Sequence, residues 1–339
     1  MAQPVVAWAF SDGKAGHENQ TRGLVPALTA RIPLRCHWIR APRAARLIAD
    51  FLCARFAPGR DLPDPDLLIG AGHGTHPALL AARRARGGRA VVLMKPTLLP
   101  LRRFDLAFVP RHDGIQSRPG IVSTHGALSA VTPAELDEAR ERLRGHPRWR
   151  LAAHTPPDAP VVAVLLGGDT DQYRLTTRFA ADLVDQVLAV CERMPAVCLV
   201  TTSRRTPADV ERWLGEHLEG HTRCGLLLLA SRDQLDGTLE GMLGWAQVIV
   251  VTSESVSMIS EACASGRWVI VVEPPVRQDH PRRLTKAQRY VRELVAGDYV
   301  HSHRLPDVSA AIQQCLRGSG PPRPLQTYAE VCAAVKRLL

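Results

Sequence analysis

The stretch Val248–Glu273, VIVVTSESVSMISEACASGRWVIVVE, decides the fold. Two continuous apolar runs, Val248–Val251 and Trp268–Val272, flank a segment with the composition of a short helix. Such runs are typical of parallel strands that are buried on both faces of a sheet. Gly266 lies where the helix would end. The stretch therefore predicts a strand, a helix and a second parallel strand.

Polar groups cluster where this helix is predicted to begin. The four residues after the first apolar run are Thr252, Ser253, Glu254 and Ser255. Unpaired N–H groups at a helix N-terminus bind phosphate well, but the same residue types are also the usual helix caps. Glu261 lies about two turns further along, where it could accept hydrogen bonds from a sugar. The pattern leaves a phosphate site and an ordinary capped helix equally open.

Strand-like runs alternate with helix-like segments along the whole chain, which predicts an α/β fold of two Rossmann-like domains whose parallel sheets face each other across a cleft. The predicted strands are Val5–Phe10, Leu34–Trp38, Leu67–Ile69, Ala90–Met94, Leu106–Val109, Val161–Leu165, Val197–Thr201, Leu226–Ala230, Val248–Val251 and Trp268–Val272. A proline-rich segment separates the halves. We expect an N-terminal domain at residues 1–150 and a nucleotide-sugar-binding domain at 151–318. Residues 319–339 would form a linker and a helix that packs back on the first domain.

Composition narrows the class of protein. No apolar run approaches the roughly 20 residues of a membrane span, and the N-terminal residues lack the features of a signal peptide. The eight cysteines are scattered without Cys-x-x-Cys spacing, which favours reduced thiols in the cytoplasm. The net charge is +10, and aromatic residues make up only 5% of the chain. Basic charge attracts nucleotides and anionic membranes alike, but aromatic side chains are too few to favour nucleic acid.

The first strand is followed by the glycine-rich turn Ser11–Gln20, SDGKAGHENQ. Its spacing is neither that of a P-loop nor that of a dinucleotide-binding turn, so a nicotinamide cofactor is disfavoured and no cofactor is predicted. His17, at the start of the next helix, is a candidate general base or a histidine that caps the loop. The other residues predicted to line a cleft here are Gly13, Lys14 and Gly16.

A second glycine-rich turn, GAGHGTHP, follows the strand at Leu67–Ile69. Its candidate cleft-lining residues are Gly72, His73, Gly74 and Thr75. Two histidines invite a metal site, but the segment offers no third ligand, so no metal is predicted.

Two further turns follow strands in the second half. Gly167 and Gly168 would let the backbone approach a diphosphate, whereas the aspartates after them are more typical of a helix cap than of a metal site. Ser203 and Arg204 lie between a strand and a helix, in position to bind phosphate or to remain solvated. Ligands of open parallel sheets bind at the carboxyl ends of the strands, where all of these turns lie. We therefore predict one binding cleft.

The segment Ala41–Phe56, APRAARLIADFLCARF, has an apolar stripe flanked by Arg43, Arg46 and Arg55. This pattern fits a helix on an anionic membrane surface, so peripheral contact with the inner face of a membrane stays open. It also fits a helix that faces the core of the first domain, which we favour.

Four blocks resemble the mitochondrial fission family first named for elongated mitochondria in plants, together with its bacterial relatives. They are SDGKAGHENQ, GAGHGTHP, KPTLLPLRRFDLAFVPRHD and VVTSESVSMISEACASGRWVIVVEP. The resemblance spans nearly the full chain. It implies a protein similar to nucleoside-diphosphate-sugar epimerases, or one that binds partners at a membrane without catalysis.

More remotely, the layout resembles the glycosyltransferase B fold. In the branch that adds N-acetylglucosamine to a lipid carrier, a glycine-rich turn ending in histidine follows the first strand, which implies a base or acceptor-side role for His17. The resemblance also implies phosphate binding by residues that match that branch's second domain, namely Gly167, Gly168, Ser253 and Ser255, with Glu261 on the ribose. The leading hypothesis is metal-independent glycosyl transfer from a nucleotide sugar. A nucleotide-sugar epimerase and a non-catalytic fission-type protein are the alternatives.

Overall fold

The computed structural model describes residues 3–42, 47, 50–96, 99–111, 114–126, 128, 131, 133–150, 158–233, 237–277, 284–318, 325 and 328–339. The chain divides into two compact units. The first contains residues 1–130 together with 326–339, and the second contains residues 131–325.

In the first unit, six strands pair in parallel in the order β2-β1-β3-β4-β5-β6. They are β1 (Val5–Ser11), β2 (Leu34–Arg40), β3 (Leu67–Ala71), β4 (Arg89–Leu93), β5 (Leu106–Pro110) and β6 (Ile121–Thr124). The described helices of this unit are α1 (Ala15–Thr29), α2 (His76–Arg86) and, at the C-terminus, Tyr328–Leu338. Apolar side chains on both faces of the sheet are buried, as expected for a parallel sheet between helices.

The second unit also has six parallel strands, in the order β12-β11-β10-β7-β8-β9. They are β7 (Val161–Leu165), β8 (Val197–Thr201), β9 (Cys224–Leu228), β10 (Val248–Thr252), β11 (Trp268–Val272) and β12 (His301–His303). The helices are α3 (Pro133–Arg144), α4 (Thr177–Arg193), α5 (Ala208–Leu218), α6 (Thr238–Trp245), α7 (Val256–Ala264), α8 (Lys286–Ala296) and α9 (Val308–Arg317). The C-terminal helix Tyr328–Leu338 is therefore α10. Every residue of β7 to β10 is buried, which explains their continuous apolar sequences.

The predicted α/β fold with two Rossmann-like domains is confirmed, and each predicted strand corresponds to a strand of the structure. One prediction was displaced by two residues: the strand expected at Leu226–Ala230 lies at Cys224–Leu228. Its pairing with β8 has a register irregularity between Cys198 and Leu199. Two strands were missed. β6 has four residues and β12 only three, and the polar sequence of β12, His-Ser-His, shows no apolar run.

The division into units falls earlier than the predicted boundary at residue 150. Helix α3 lies on the second unit, where Leu136 and Leu143 enter the core beside Met242 of α6. Glycines permit this close approach, since a Cβ at Gly241 would lie 2.7 Å from the Ala139 carbonyl oxygen. Helix α10 packs in the first unit, where Val331 and Val335 are completely buried.

Some predictions concern segments outside the described residues. Arg43 and Arg46 of the basic helical face lie there, as do most of the two proline-rich linkers. Within the described part of the chain, no helix combines the length and apolar character that crossing a membrane requires.

Candidate functional site

Each sheet has a point at which the strand order reverses, because successive strands are added first on one side of the initial strand and then on the other. In the second unit the chain runs outward from β7 to β9 and then returns to β10 on the other side of β7. In the first unit the corresponding reversal lies between β1 and β3. Loops at such a switch point diverge and leave a crevice beyond the carboxyl ends of the strands, where ligands of open α/β sheets bind. Most of the predicted site residues follow β7 and β10, or β1 and β3.

At the switch point of the second unit, the glycine turn after β7 is tied to the end of β10. The Gly167 N–H donates to Thr252 Oγ1 at 2.8 Å, and the Gly168 N–H donates to Glu254 Oε1 at 2.8 Å. Thr252 Oγ1 in turn donates to the same Glu254 oxygen at 2.8 Å. Both glycine N–H groups, predicted to contact phosphate, are therefore paired with side chains of the protein itself.

Both glycines are required by close packing. A Cβ at Gly167 would lie 2.0 Å from Glu254 Oε1, and one at Gly168 would lie 2.1 Å from the Arg205 carbonyl oxygen. Since real Cβ atoms do not approach so closely, only glycine lets β7 continue into a turn that lies against its neighbours.

The Glu254 carboxyl group is the most unusual electrostatic feature of this turn. Glu254 is only 7% exposed, and its Oε2 atom has no hydrogen-bond partner among the described residues. Burial raises the pKa of this carboxyl group, although its hydrogen bonds and the charge of Arg205 partly oppose the rise. A buried carboxylate with an unpartnered oxygen is costly, so this group favours a proton or a donor brought by a ligand.

Helix α7 begins next to this carboxyl group without a side-chain cap. Ser255 is the N-cap residue, but its side chain makes no capping hydrogen bond. The first N–H groups of an α-helix have no acceptor within the helix, so those of Val256 and Ser257 remain available to an anion. Ser253 Oγ is buried near the Tyr173 hydroxyl, and in the described residues it makes no hydrogen bond of normal geometry. Glu261 lies half-buried further along α7, on the helix where the sequence placed it.

The turn after β8 borders the same glycines. Ser203 Oγ donates to the Gly167 carbonyl oxygen at 2.8 Å, and the Thr206 hydroxyl also donates to that oxygen. Arg204 and Arg205 are both exposed, so their guanidinium groups are accessible to a ligand. Three turns, after β7, β8 and β10, are thus joined by hydrogen bonds into one assembly.

A neighbouring polar network was not predicted. The Tyr173 hydroxyl donates to Glu273 Oε1 at 2.5 Å, and Gln288 Nε2 donates to the same oxygen at 2.9 Å. Burial, with the adjacent Glu273 carboxylate, raises the pKa of Tyr173. Because Tyr173 and Glu273 are 100 residues apart, no local sequence signal could have paired them. The aspartates of this turn were expected to cap the next helix, but the N-cap residue of α4 is Thr176.

At the switch point of the first unit, His17 is paired with a carboxylate. Its Nδ1 atom lies 2.8 Å from Asp12 Oδ2, and Asp12 Oδ1 accepts a hydrogen bond from the Lys14 N–H at 3.2 Å. The side chains of His17 and Asp12 are 18% and 8% exposed. A carboxylate that holds Nδ1–H leaves Nε2 as the free base, which is the arrangement that proton abstraction requires. The sequence pattern indicated His17 as a candidate base but gave no signal for its partner Asp12, five residues before it.

The glycine turn after β3 fits closely around this pair. A Cβ at Gly72 would lie 2.1 Å from His17 Nδ1, and one at Gly74 would lie 2.9 Å from Asp12 Oδ2. Thr75 is buried and its hydroxyl contacts the carbonyl oxygens of Ala71 and Gly72, at 3.2 and 2.9 Å. The two predicted turns of the first unit are therefore in contact with each other.

The two histidines of this turn differ in their surroundings. His73 is exposed, and its ring centroid lies 6.4 Å from that of His17. His76 is 2% exposed, and its Nε2 atom has no hydrogen-bond partner among the described residues. Burial, followed by the charges of His73 and His17, lowers the pKa of His76 to about 4, so this ring is neutral at pH 7.

The remaining predicted residues lie at the edge of the turn. Gly13 is exposed with a φ of 78°, which favours glycine, and Lys14 is an exposed N-cap residue of α1. Gly16 is in the first turn of α1. In the described residues no group of three or more His, Cys, Asp or Glu side chains is arranged to hold a metal ion.

Residues 15–339 match the profile of the mitochondrial fission ELM1 family. The chain belongs to this family. The family match begins at the start of α1 and extends through both units. It includes the second switch point, His17 and the turn after β3, whereas Asp12 lies before its first residue. The mitochondrial fission protein ELM1 of Arabidopsis thaliana is 27% identical over 253 residues, which cover 68% of this chain and 56% of that protein. The match thus spans a little over half the length of the plant relative.

Solved structures of the same fold include sugar-nucleotide enzymes. The UDP-GlcNAc 2-epimerase of Methanocaldococcus jannaschii superposes with a TM-score of 0.62, at 12% identity over 99% of both chains. The glycotransferase of kitacinnamycin superposes with a TM-score of 0.51, at 15% identity over 100% of this chain and 95% of that one. At these identities the comparison establishes the fold, which is the glycosyltransferase B fold with two Rossmann-like domains. One further structure of the Methanocaldococcus jannaschii epimerase, with a TM-score of 0.51 at 11% identity, is a complex with UDP-GlcNAc and UDP.

Proposed function

We propose that this ELM1-family chain binds a nucleotide sugar and transfers its glycosyl group without a metal ion. The observation that carries the proposal is the uncapped N-terminus of α7, which lies at the switch point of the second sheet beside the buried Ser253 hydroxyl. Helix N–H groups and hydroxyls in that position suit a diphosphate. The names of the neighbouring structures, a UDP-GlcNAc 2-epimerase and a glycotransferase, support the same class of ligand.

The diphosphate would be bound by groups other than the glycine turn. Because the Gly167 and Gly168 N–H groups are already paired, binding falls to the first turn of α7, to Ser255 and to the exposed Arg204. Glu261, further along α7, would accept hydrogen bonds from the ribose. These donors also stabilise negative charge on the diphosphate as it departs, which lowers the barrier to glycosyl transfer.

In the first unit, His17 would act as the general base. Its Nε2 atom takes the proton of the acceptor hydroxyl while Asp12 holds Nδ1–H and stabilises the imidazolium that forms. The acceptor oxygen then bonds to the anomeric carbon as the bond from that carbon to the diphosphate breaks.

A binding screen tests the nucleotide part of this proposal. Uridine, guanosine, cytidine and thymidine diphosphates and their sugar conjugates would be compared by thermal shift, since a ligand of the folded form raises the melting temperature. Calorimetry on Glu261→Ala should then show weaker binding, and Glu216→Ala, an exposed glutamate on α5, should bind like the unchanged chain. No shift with any member of the panel would refute the proposal.

An epimerase is a second candidate, favoured by the 2-epimerase that superposes over 99% of this chain. The two reactions differ in their requirements, since an epimerase converts its nucleotide sugar without an acceptor. Incubation with UDP-GlcNAc alone, followed by chromatography of the sugar nucleotides, separates them.

A non-catalytic role in fission is a third candidate, favoured by membership of the ELM1 family. It predicts that His17→Gln preserves the cellular function of the chain. Loss of that function in a folded His17→Gln variant would exclude it.

A further inference from the structure

The Glu254 carboxyl group has one occupied and one unoccupied oxygen. Oε1 accepts hydrogen bonds from the Gly168 N–H and the Thr252 hydroxyl, both at 2.8 Å. Oε2 is buried and has no partner among the described residues. A proton on this carboxyl group would therefore be on Oε2, because Oε1 already accepts hydrogen bonds from two donors.

The charged groups around Glu254 do not fully compensate the negative charge of its ionised carboxyl group. From the turn after β8, Arg205 is the cation whose field acts on it, but that guanidinium is exposed and makes no ion pair with Glu254 in the described structure. From the turn after β7, the Tyr173 hydroxyl faces it, and the nearest acidic group on that network is Glu273 after β11. An ionised Glu254 thus adds negative charge at the start of α7, where the proposed function requires a second anion.

Two anions at one helix N-terminus repel each other strongly when water is excluded. A proton on Oε2 removes this repulsion and converts the oxygen from an acceptor into a donor. We propose that Glu254 takes up one proton from solvent when the diphosphate of a nucleotide sugar binds at the start of α7, and that this proton on Oε2 removes the repulsion between the two anions. This inference rests on the proposed function and specifies how its binding site accepts the charge of the ligand.

The direction of the pKa of Glu254 agrees with this geometry. Burial already raises it in the free protein, and a bound anion would raise it further. The coupling is therefore weak below the pKa of Glu254 in the free chain, where the group is protonated before binding, and strongest between that pKa and the higher pKa of the complex.

The test is calorimetry with UDP-GlcNAc on the full chain, in pairs of buffers with different ionisation enthalpies, at several values between about pH 5.5 and pH 8.5. Between the pKa of Glu254 in the free chain and its higher pKa in the complex, the unchanged chain should take up close to one proton per ligand, and its affinity should fall toward tenfold for each pH unit. Glu254→Gln keeps the shape of the group, accepts the same two hydrogen bonds and offers an N–H in place of Oε2–H. It should bind with no proton uptake and with an affinity that does not change with pH.

Glu273→Gln is the matched control, since it removes a neighbouring carboxylate but leaves Oε2 of Glu254 intact. It should retain the proton uptake. Binding without uptake by the unchanged chain, uptake that persists in Glu254→Gln, or uptake lost equally in Glu273→Gln would each overturn the inference and leave nucleotide-sugar binding in place. If UDP-GlcNAc does not bind, the same titration uses the panel member that raises the melting temperature most, and absence of binding by every member overturns both proposals. If Glu254→Gln fails to fold, absence of proton uptake by the unchanged chain still overturns the inference.

Discussion

The two switch points each place a carboxylate against a glycine turn, but they treat its charge in opposite ways. In the first unit, Asp12 lies beside Gly74, and its two oxygens contact His17 and the Lys14 N–H. In the second unit, Glu254 lies against Gly167 with one oxygen unpartnered. The paired carboxylate suits a proton relay through histidine, whereas the unpaired one suits a site that changes its protonation when an anion arrives.

The largest expected effect concerns the paired carboxylate. His17→Gln should reduce turnover of the nucleotide sugar identified by thermal shift by about 10²–10⁴-fold, the usual contribution of a general base, without weakening its binding. His73→Gln is the comparison, because that ring lies near His17 yet is exposed, and its loss should be less than about tenfold. Turnover and calorimetric affinity are measured on both variants. Unchanged turnover in His17→Gln would remove the proton relay from the first switch point.

The glycine turns should differ in how well they tolerate the Cβ atom of an alanine. Gly168→Ala meets the backbone carbonyl oxygen of Arg205, which cannot rotate away, and should destabilise the second unit by more than about 3 kcal/mol. Gly72→Ala meets the His17 ring at a φ of 78° and should cost about 1–2 kcal/mol, because the ring can move.

Gly215→Ala in α5 is the control for these two variants. It has no neighbour closer than 3.8 Å and should be neutral or stabilising by up to about 1 kcal/mol. Urea unfolding measures all three variants. A Gly168→Ala protein as stable as Gly215→Ala would mean that the turn after β7 does not pack as the structure has it.

The sequence was sufficient for the strands, since a run such as Val161–Leu165 is apolar for the physical reason that it is buried on both faces. The sequence also made His17 a candidate, because a histidine at a helix start after a glycine turn is a local signal. It was insufficient for Asp12, whose role depends on a contact that the turn forms only when folded. It placed Glu254 among the polar groups of a candidate phosphate site, but it gave no signal that this carboxyl group accepts a hydrogen bond from the backbone of the glycine turn after β7.

Acidification should lower the free energy of unfolding of the first unit. The pKa of His76 is lowered to about 4 from 6.5, so the unfolded chain binds a proton there that the folded chain resists. The contribution of a neutral His76 to stability is present above pH 6.5 and is lost as the pH falls toward 4, amounting to roughly 3 kcal/mol. Urea unfolding at several pH values measures this slope. His76→Leu should abolish it, and a slope that persists in His76→Leu would assign it to other groups.

The second unit should show the opposite slope at Glu254. Because its folded pKa is raised, the stability that a protonated Glu254 contributes is present below the unfolded pKa of about 4.3 and is lost as the pH rises through the folded value. At pH 8 the Glu254→Gln chain should therefore be more stable than the unchanged chain, on the order of 1 kcal/mol, or about 2–4 °C in melting temperature.

Asp12→Asn should change stability in the other direction at the same pH. It removes a carboxylate that is paired with His17 at 2.8 Å and should cost about 0.5–1 kcal/mol. Thermal unfolding of both variants and the unchanged chain at pH 5 and pH 8 compares the two switch points directly. As the pH rises, only Glu254→Gln should become more stable relative to the unchanged chain. If both substitutions destabilise the chain at pH 8, Glu254 has a compensating partner in solution, and the contrast between a paired and an unpaired carboxylate fails.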